Sequence, residues 1–100
     1  MVELIILAGA EREILEAYVK LDGFQDGLGE RFEQRVEETL SLIVAHPKIG
    51  PVFRGETRRR LVRGFPHAIF YEIEPRRIIV HAVLDLRQSP ESIIRRLDPL

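Results

Sequence analysis

The sequence has no cysteine among its 100 residues. Disulfides, thiolate zinc sites and a cysteine nucleophile are therefore excluded, and the lack fits the reducing cytoplasm, where we expect the protein to reside. No apolar run approaches the roughly 20 residues that a membrane-spanning helix needs. The first apolar run, residues 4–8, follows Glu3 rather than a basic segment, which favours a strand over a signal peptide.

What is present is the composition of a soluble globular protein, with 45% hydrophobic and 31% charged residues. The length predicts one domain over residues 1–100. The net charge is −1, but residues 1–50 carry 5 Lys and Arg against 10 Asp and Glu, whereas residues 51–100 carry 10 against 6. The basic half either neutralises the acidic half across the fold or meets an anionic partner.

Two stretches have the hydrophobic spacing of helices. The first covers residues 11–21 and is expected to end at Asp22-Gly23. Its apolar face consists of Ile14, Leu15, Tyr18 and Leu21. The second opens at residues 27–29 and ends before Pro47. Its apolar stripe consists of Phe32, Val36, Leu40 and Ile43. Together the two stretches predict a helical hairpin.

The rest of the chain has the pattern of strands and loops. Residues 2–7 and 68–74 read as strands, 58–63 as an extended segment, and 47–56 as a Pro- and Gly-rich loop. A third long strand, 78–86, is apolar on both faces and is therefore expected at the centre of the sheet. A short helix follows from Pro90. The order β-α-α-β-β-β-α predicts an α+β fold, with the hairpin packed on a small antiparallel sheet.

Three segments are similar to the RelE/ParE toxin superfamily of bacterial type II toxin–antitoxin modules. They are the "GLG" and Phe32 at the start of the second helix, the block "RRRLVRGFPHAIFY", and "HAVLDLRQSP". The resemblance extends from Glu11 to Pro90 and implies the same order of elements. It also implies that the chain is a toxin that a cognate antitoxin neutralises by direct binding through an acidic, amphipathic segment.

The superfamily holds two activities, and the wording "FPHAIFY" resembles the ParE-like branch, which poisons DNA gyrase. The alternative is a RelE-like ribosome-dependent mRNA endonuclease. Many nucleases of the family have an arginine at the position of Ala68 and a tyrosine or histidine near the C-terminus, and this chain has neither. These departures favour a protein that is not an enzyme and has DNA gyrase rather than the ribosome as its target. A degenerate, non-toxic antitoxin-binding member is a third possibility.

Candidate contact residues follow from the same segments. Arginine binds phosphate or carboxylate in bidentate fashion. The residues expected to contact the target or the antitoxin are Arg58, Arg59, Arg60, Arg63, Arg87, Phe70 and Tyr71. In a nuclease, Arg59, Arg63 and Arg87 would handle the phosphate. Strand alternation predicts Arg59 and Arg63 on one face of the sheet and Arg58 and Arg60 on the other.

Other functions find little support in the sequence. The three histidines are far apart and lack the spacing of metal ligands, so neither a metal site nor a cofactor is expected. His67 could act as an acid–base group or could be a packing residue. Splitting the arginines between two faces also argues against a diffuse nucleic-acid patch, and we expect no sequence-specific DNA binding by this chain alone.

Overall fold

The structure, a computed structural model, describes residues 2–98. Its elements are β1 (Glu3–Ile6), α1 (Ala8–Phe24), α2 (Leu28–Ala45), a 3₁₀ turn (Pro47–Ile49), β2 (Val52–Arg54), β3 (Thr57–Leu61), β4 (His67–Ile73), β5 (Arg77–Asp85) and α3 (Pro90–Leu97). The strands form one sheet in the order β1-β5-β4-β3-β2, with β1 parallel to β5 and the other neighbours antiparallel. The α+β class is confirmed. The sheet is mixed rather than wholly antiparallel, because β1 joins β5 in parallel, and the predicted order gains one strand, β2, within the expected loop.

The main core lies between the helical hairpin and one face of the sheet. All four residues of the predicted α2 stripe are buried: Phe32, Val36, Leu40 and Ile43. They pack with residues of β4 and β5, among them Ile69, Tyr71 and Val80. The two helices approach closely at Gly29, where a Cβ atom would lie 2.6 Å from the Tyr18 carbonyl oxygen.

The prediction that the first helix ends at Asp22-Gly23 is wrong, because α1 continues to Phe24. The Asp22 side chain does not stop its own helix. It accepts hydrogen bonds from the backbone N–H groups of Gly27, at 3.0 Å, and Gly29, at 3.2 Å, at the start of α2. The chain reverses at Gly27, whose φ of 86° is readily adopted only by glycine.

The opposite face of the sheet is covered by α3. A second apolar cluster there consists of Ala68, Phe70, Ala82, Leu84 and Ile93. The Arg96 guanidinium anchors α3 by donating to the Glu13 carboxylate at 2.8 Å and to the His81 carbonyl at 3.0 Å. The sheet is therefore buried on both faces.

β5 is an interior strand, as its two-sided apolar pattern indicates, because it pairs with β1 and with β4, although the middle strand of the sheet is β4. Its register with β4 shifts at His81, because Phe70 pairs with Ala82 whereas Tyr71 pairs with Val80. Beyond the end of β1, Glu13 accepts a hydrogen bond of 3.1 Å from the N–H of Val83. Within residues 2–98, no helix has the length and apolar character required to cross a membrane.

Candidate functional site

The outer edge of β3 is open where β2 ends. β2 covers only the first part of β3, pairing Val52 with Arg58 and Arg54 with Thr57. Just before β2, the Pro51 carbonyl accepts a hydrogen bond of 3.1 Å from the Arg59 N–H. Beyond it, Leu61 is 59% exposed. This segment borders a groove of about 610 Å³, here called the β3 groove, lined by Pro51, Arg59, Arg60, Leu61, Val62, Arg63, Gly64 and Phe65.

The loop that carries Pro51 is fixed from inside the protein. The Tyr71 hydroxyl donates to the Pro47 carbonyl at 2.7 Å and accepts from the Gly50 N–H at 3.0 Å. The Arg58 guanidinium donates to the Gly50 carbonyl at 2.9 Å. A Cβ atom at Gly50 would lie 2.6 Å from the Arg59 carbonyl oxygen, so the loop lies directly against β3. Arg58 and Tyr71, both predicted as contact residues, therefore hold this loop in place.

The register of β3 with β4 assigns the arginines to faces. Arg58 pairs with Tyr71 and Arg60 with Ile69, which places both arginines on the side of the helical hairpin. Arg59 pairs with Phe70, which lies on the side of α3. The predicted separation of Arg59 from Arg58 and Arg60 is confirmed.

The prediction that Arg63 shares a face with Arg59 is wrong. β3 ends at Leu61, and Arg63 lies in the turn from Val62 to Phe65, so strand alternation does not reach it. Gly64 in this turn has a φ of 85°. The turn directs Arg63 toward α2, where its Nη2 atom lies 3.6 Å from Oε1 of Glu38.

The three groove arginines differ in how much of their charge is already engaged. The Arg59 guanidinium stacks on the Phe53 ring, 4.9 Å from its centroid. Arg63 has Glu38 as its partner. Arg60 forms no ion pair with any residue in the range 2–98. The β3 groove is therefore positively charged, with Arg60 and the 76% exposed Arg63 side chain accessible to an anionic partner.

Arg87 is not among the residues that line the β3 groove. It follows β5 and is bound by Asp85, which accepts from its backbone N–H at 2.8 Å and from its Nη2 atom at 2.7 Å. The side-chain hydrogen bond from Arg87 lowers the pKa of Asp85 to about 2. Of the three arginines that a nuclease would use, Arg59 and Arg63 lie along one groove, and Arg87 pairs with a carboxylate elsewhere.

Phe70 and Tyr71 are both fully buried, so neither offers surface for a partner in this structure. Both were predicted as contact residues, but the sheet is covered on both faces here. Phe70 lies under α3, and Tyr71 lies under the hairpin. Ala68 is fully buried, because it packs beneath α3 in the second cluster.

His67 is a packing residue. Its side chain is 7% exposed and meets the Phe32 ring edge-on, with 4.8 Å between centroids. Its Nδ1 atom is buried and has no hydrogen-bond partner within residues 2–98, and burial lowers its pKa. In the same part of the chain, no three acidic or histidine side chains are arranged to hold a metal ion.

One exposed feature was not predicted. Leu15 and Val19, which lie one helical turn apart on α1, are each 63% exposed, and Phe24 at the end of α1 is 83% exposed. The prediction that Leu15 lies on the buried face of α1 is wrong, because its side chain is exposed, whereas Ile14 and Leu21 pack against the core. Leu15 and Val19 are spaced four residues apart, and this second apolar pair on α1 was the signal available in the sequence.

The chain folds into a small α+β domain, in which a helical hairpin packs on a mixed sheet with an open basic edge. The chain belongs to the ParE toxin family. The family model described as "ParE toxin of type II toxin-antitoxin system, parDE" matches residues 4–90. Membership places the chain among the toxins of type II systems.

Among solved structures, the chain is similar to one titled "Chromosomal ParDE TA system from P. aeruginosa". The TM-score is 0.73 at 15% sequence identity, and the match covers 83% of this chain and 94% of that one. At this identity the likeness shows a shared fold. A search of curated protein sequences gives no match.

Proposed function

We propose that this chain is a toxin that inhibits DNA gyrase and that a cognate antitoxin neutralises it by occupying the β3 groove. The observation that carries the antitoxin proposal is the open edge of β3, where an exposed Leu61 lies between Arg60 and Arg63. An extended segment could add to this edge through backbone hydrogen bonds, with acidic side chains meeting the arginines. The antitoxin segment is therefore expected to be acidic and amphipathic, and to fold on binding.

A second contact region for the same partner lies on the outside of α1. Leu15, Val19 and Phe24 expose large apolar side chains on the helical hairpin. Exposed apolar residues grouped on one helix favour a protein contact. An antitoxin that passes from α1 to the β3 groove would cover both regions. Because the proposed target, DNA gyrase, is cytoplasmic, we expect the complex in the cytoplasm as well.

The arrangement of the arginines favours a toxin that binds its target over a toxin that cleaves RNA. A nuclease would need Arg59, Arg63 and Arg87 around one phosphate, but only the first two line the β3 groove. Arg87 is bound by Asp85, and the position of Ala68 is covered by α3. The endonuclease alternative therefore relies on Arg59 and Arg63 alone. Cleavage of mRNA on programmed ribosomes by the purified chain would favour that alternative over gyrase inhibition.

Expression in bacteria tests the toxin–antitoxin proposal. The chain expressed alone should arrest growth, and co-expression with the protein encoded by the adjacent reading frame should restore growth and give a stable complex on purification. Replacing Arg60 by glutamine should weaken that complex, whereas Arg76→Gln, at the opposite end of the sheet, should not. Normal growth on expression of the chain alone would instead indicate a degenerate, non-toxic member.

A further inference from the structure

Glu38 on α2 places a carboxylate beside the β3 groove. Its Oε1 atom lies 3.6 Å from Nη2 of Arg63. The same carboxylate accepts hydrogen bonds from Nη1 of Arg35, one turn earlier on α2, at 3.1 and 3.2 Å. Glu38 is thus held by Arg35 and contacts Arg63 at longer range.

We propose that Glu38 is an internal competitor that lowers the affinity of the β3 groove for acidic partners. This inference rests on the proposed function, since it assumes that the groove receives a carboxylate. A partner carboxylate that binds Arg63 must displace the contact with Glu38, so the free energy of that contact is subtracted from the free energy of binding.

The geometry favours easy displacement. The Glu38 and Arg63 side chains are 56% and 76% exposed, so their attraction is weakened by solvent. Arg35 is only 32% exposed and makes the shorter contacts, so it keeps Glu38 from closing fully on Arg63. Glu38 therefore competes only weakly for Arg63, and its hydrogen bonds with Arg35 limit how strongly it competes.

Substitutions on α2 should change affinity in opposite directions. Glu38→Gln keeps the size of the side chain and removes its charge, and it should tighten binding of an acidic segment about twofold to fivefold at low salt. Arg35→Gln should weaken binding, because Glu38 would then have Arg63 as its main partner. Glu37→Gln, an exposed neighbour on α2, removes the same charge without touching Arg63 and is the matched control.

The test uses a synthetic extended peptide that alternates glutamate and valine, titrated into the parent and each variant at low salt. The gain from Glu38→Gln should exceed that from Glu37→Gln and should disappear in an Arg63→Gln background. Equal gains from the two glutamine variants, or a gain that persists without Arg63, would overturn the inference. Absence of peptide binding to the parent, or binding that Arg60→Gln leaves unchanged, would instead count against the proposed function.

A second readout does not depend on the peptide. The side-chain Nε–H resonance of Arg63 can be followed by NMR during titration with inorganic phosphate. Its midpoint should fall at lower phosphate in Glu38→Gln than in the parent or in Glu37→Gln. Identical midpoints in all three proteins would overturn the competitor role of Glu38, whatever the peptide experiment shows.

Discussion

The hydroxyl of Tyr71 accepts a hydrogen bond of 3.0 Å from the backbone N–H of Gly50, which lies 21 residues earlier in the chain. The same hydroxyl donates to the Pro47 carbonyl at 2.7 Å. One buried phenol therefore fixes the loop that forms the Pro51 wall of the β3 groove. A residue deep in the core controls the shape of the candidate binding surface without reaching it.

Tyr71→Phe should lower the free energy of unfolding by about 1–3 kcal/mol. The substitution keeps the ring but leaves the Gly50 N–H and the Pro47 carbonyl without their partner, and unsatisfied buried groups cost about that much. Chemical denaturation measures the change. Tyr18→Phe, on a partly exposed tyrosine of α1, is the control and should change stability by less than about 0.5 kcal/mol. Equal effects of the two substitutions would show that the hydroxyl does not hold the loop.

Arg96→Gln should loosen α3. It removes the ion pair with the 16% exposed Glu13 side chain and leaves the His81 carbonyl without its donor, at a cost of about 1–2 kcal/mol. Hydrogen exchange should rise in α3 and in the strand residues beneath it, including Phe70. Arg95→Gln, on the exposed side of the same helix, should leave exchange unchanged. Identical exchange in both variants would mean that the apolar contacts of Ile93 alone keep α3 in place.

Stability should fall as the pH is lowered from 7 toward 5, and His67 should account for part of the loss. Burial lowers the pKa of His67 below the 6.5 of a free histidine, whereas Asp85 opposes the shift and Arg87 and Lys20 add to it. The unfolded chain therefore binds a proton before the folded one does, so stability is lost as the pH falls through about 6.5 and the loss continues to the lower, folded-state pKa.

The variant His67→Phe isolates this contribution. It keeps an aromatic ring against Phe32 and removes the titrating group. The dependence of unfolding free energy on pH between 7 and 5 should be shallower in the variant than in the parent. Parallel curves would show that His67 is protonated equally in both states.

The helices and the interior strand β5 could be predicted from the sequence, because the hydrophobic pattern of each segment by itself indicates its structure. The apolar residues of α2 recur at helical spacing over about three turns, and β5 is apolar on both faces. The end of α1 could not be predicted, since Asp22 bonds to Gly27 across the turn and its side chain serves the next helix. β2 was missed because it has only three residues and forms by pairing with β3.

The contact residues were harder to predict because exposure depends on tertiary packing. Alternation separated Arg59 from its neighbours correctly, but it could not show that β3 ends before Arg63 or that the turn at Gly64 leads to Glu38. Phe70 and Tyr71 were predicted to contact a partner because their own segment does not show what covers them. In the structure α3 covers Phe70, and the helical hairpin covers Tyr71. The exposure and orientation of each of these residues depend on contacts between elements that are distant in the sequence.

Supercoiling of relaxed plasmid by purified DNA gyrase, measured at saturating concentrations of this chain, tests the central proposal most directly. We expect the chain to block supercoiling and pre-incubation with the cognate antitoxin to restore it. Normal supercoiling at saturating toxin, from protein whose folding has been verified, would contradict the proposal.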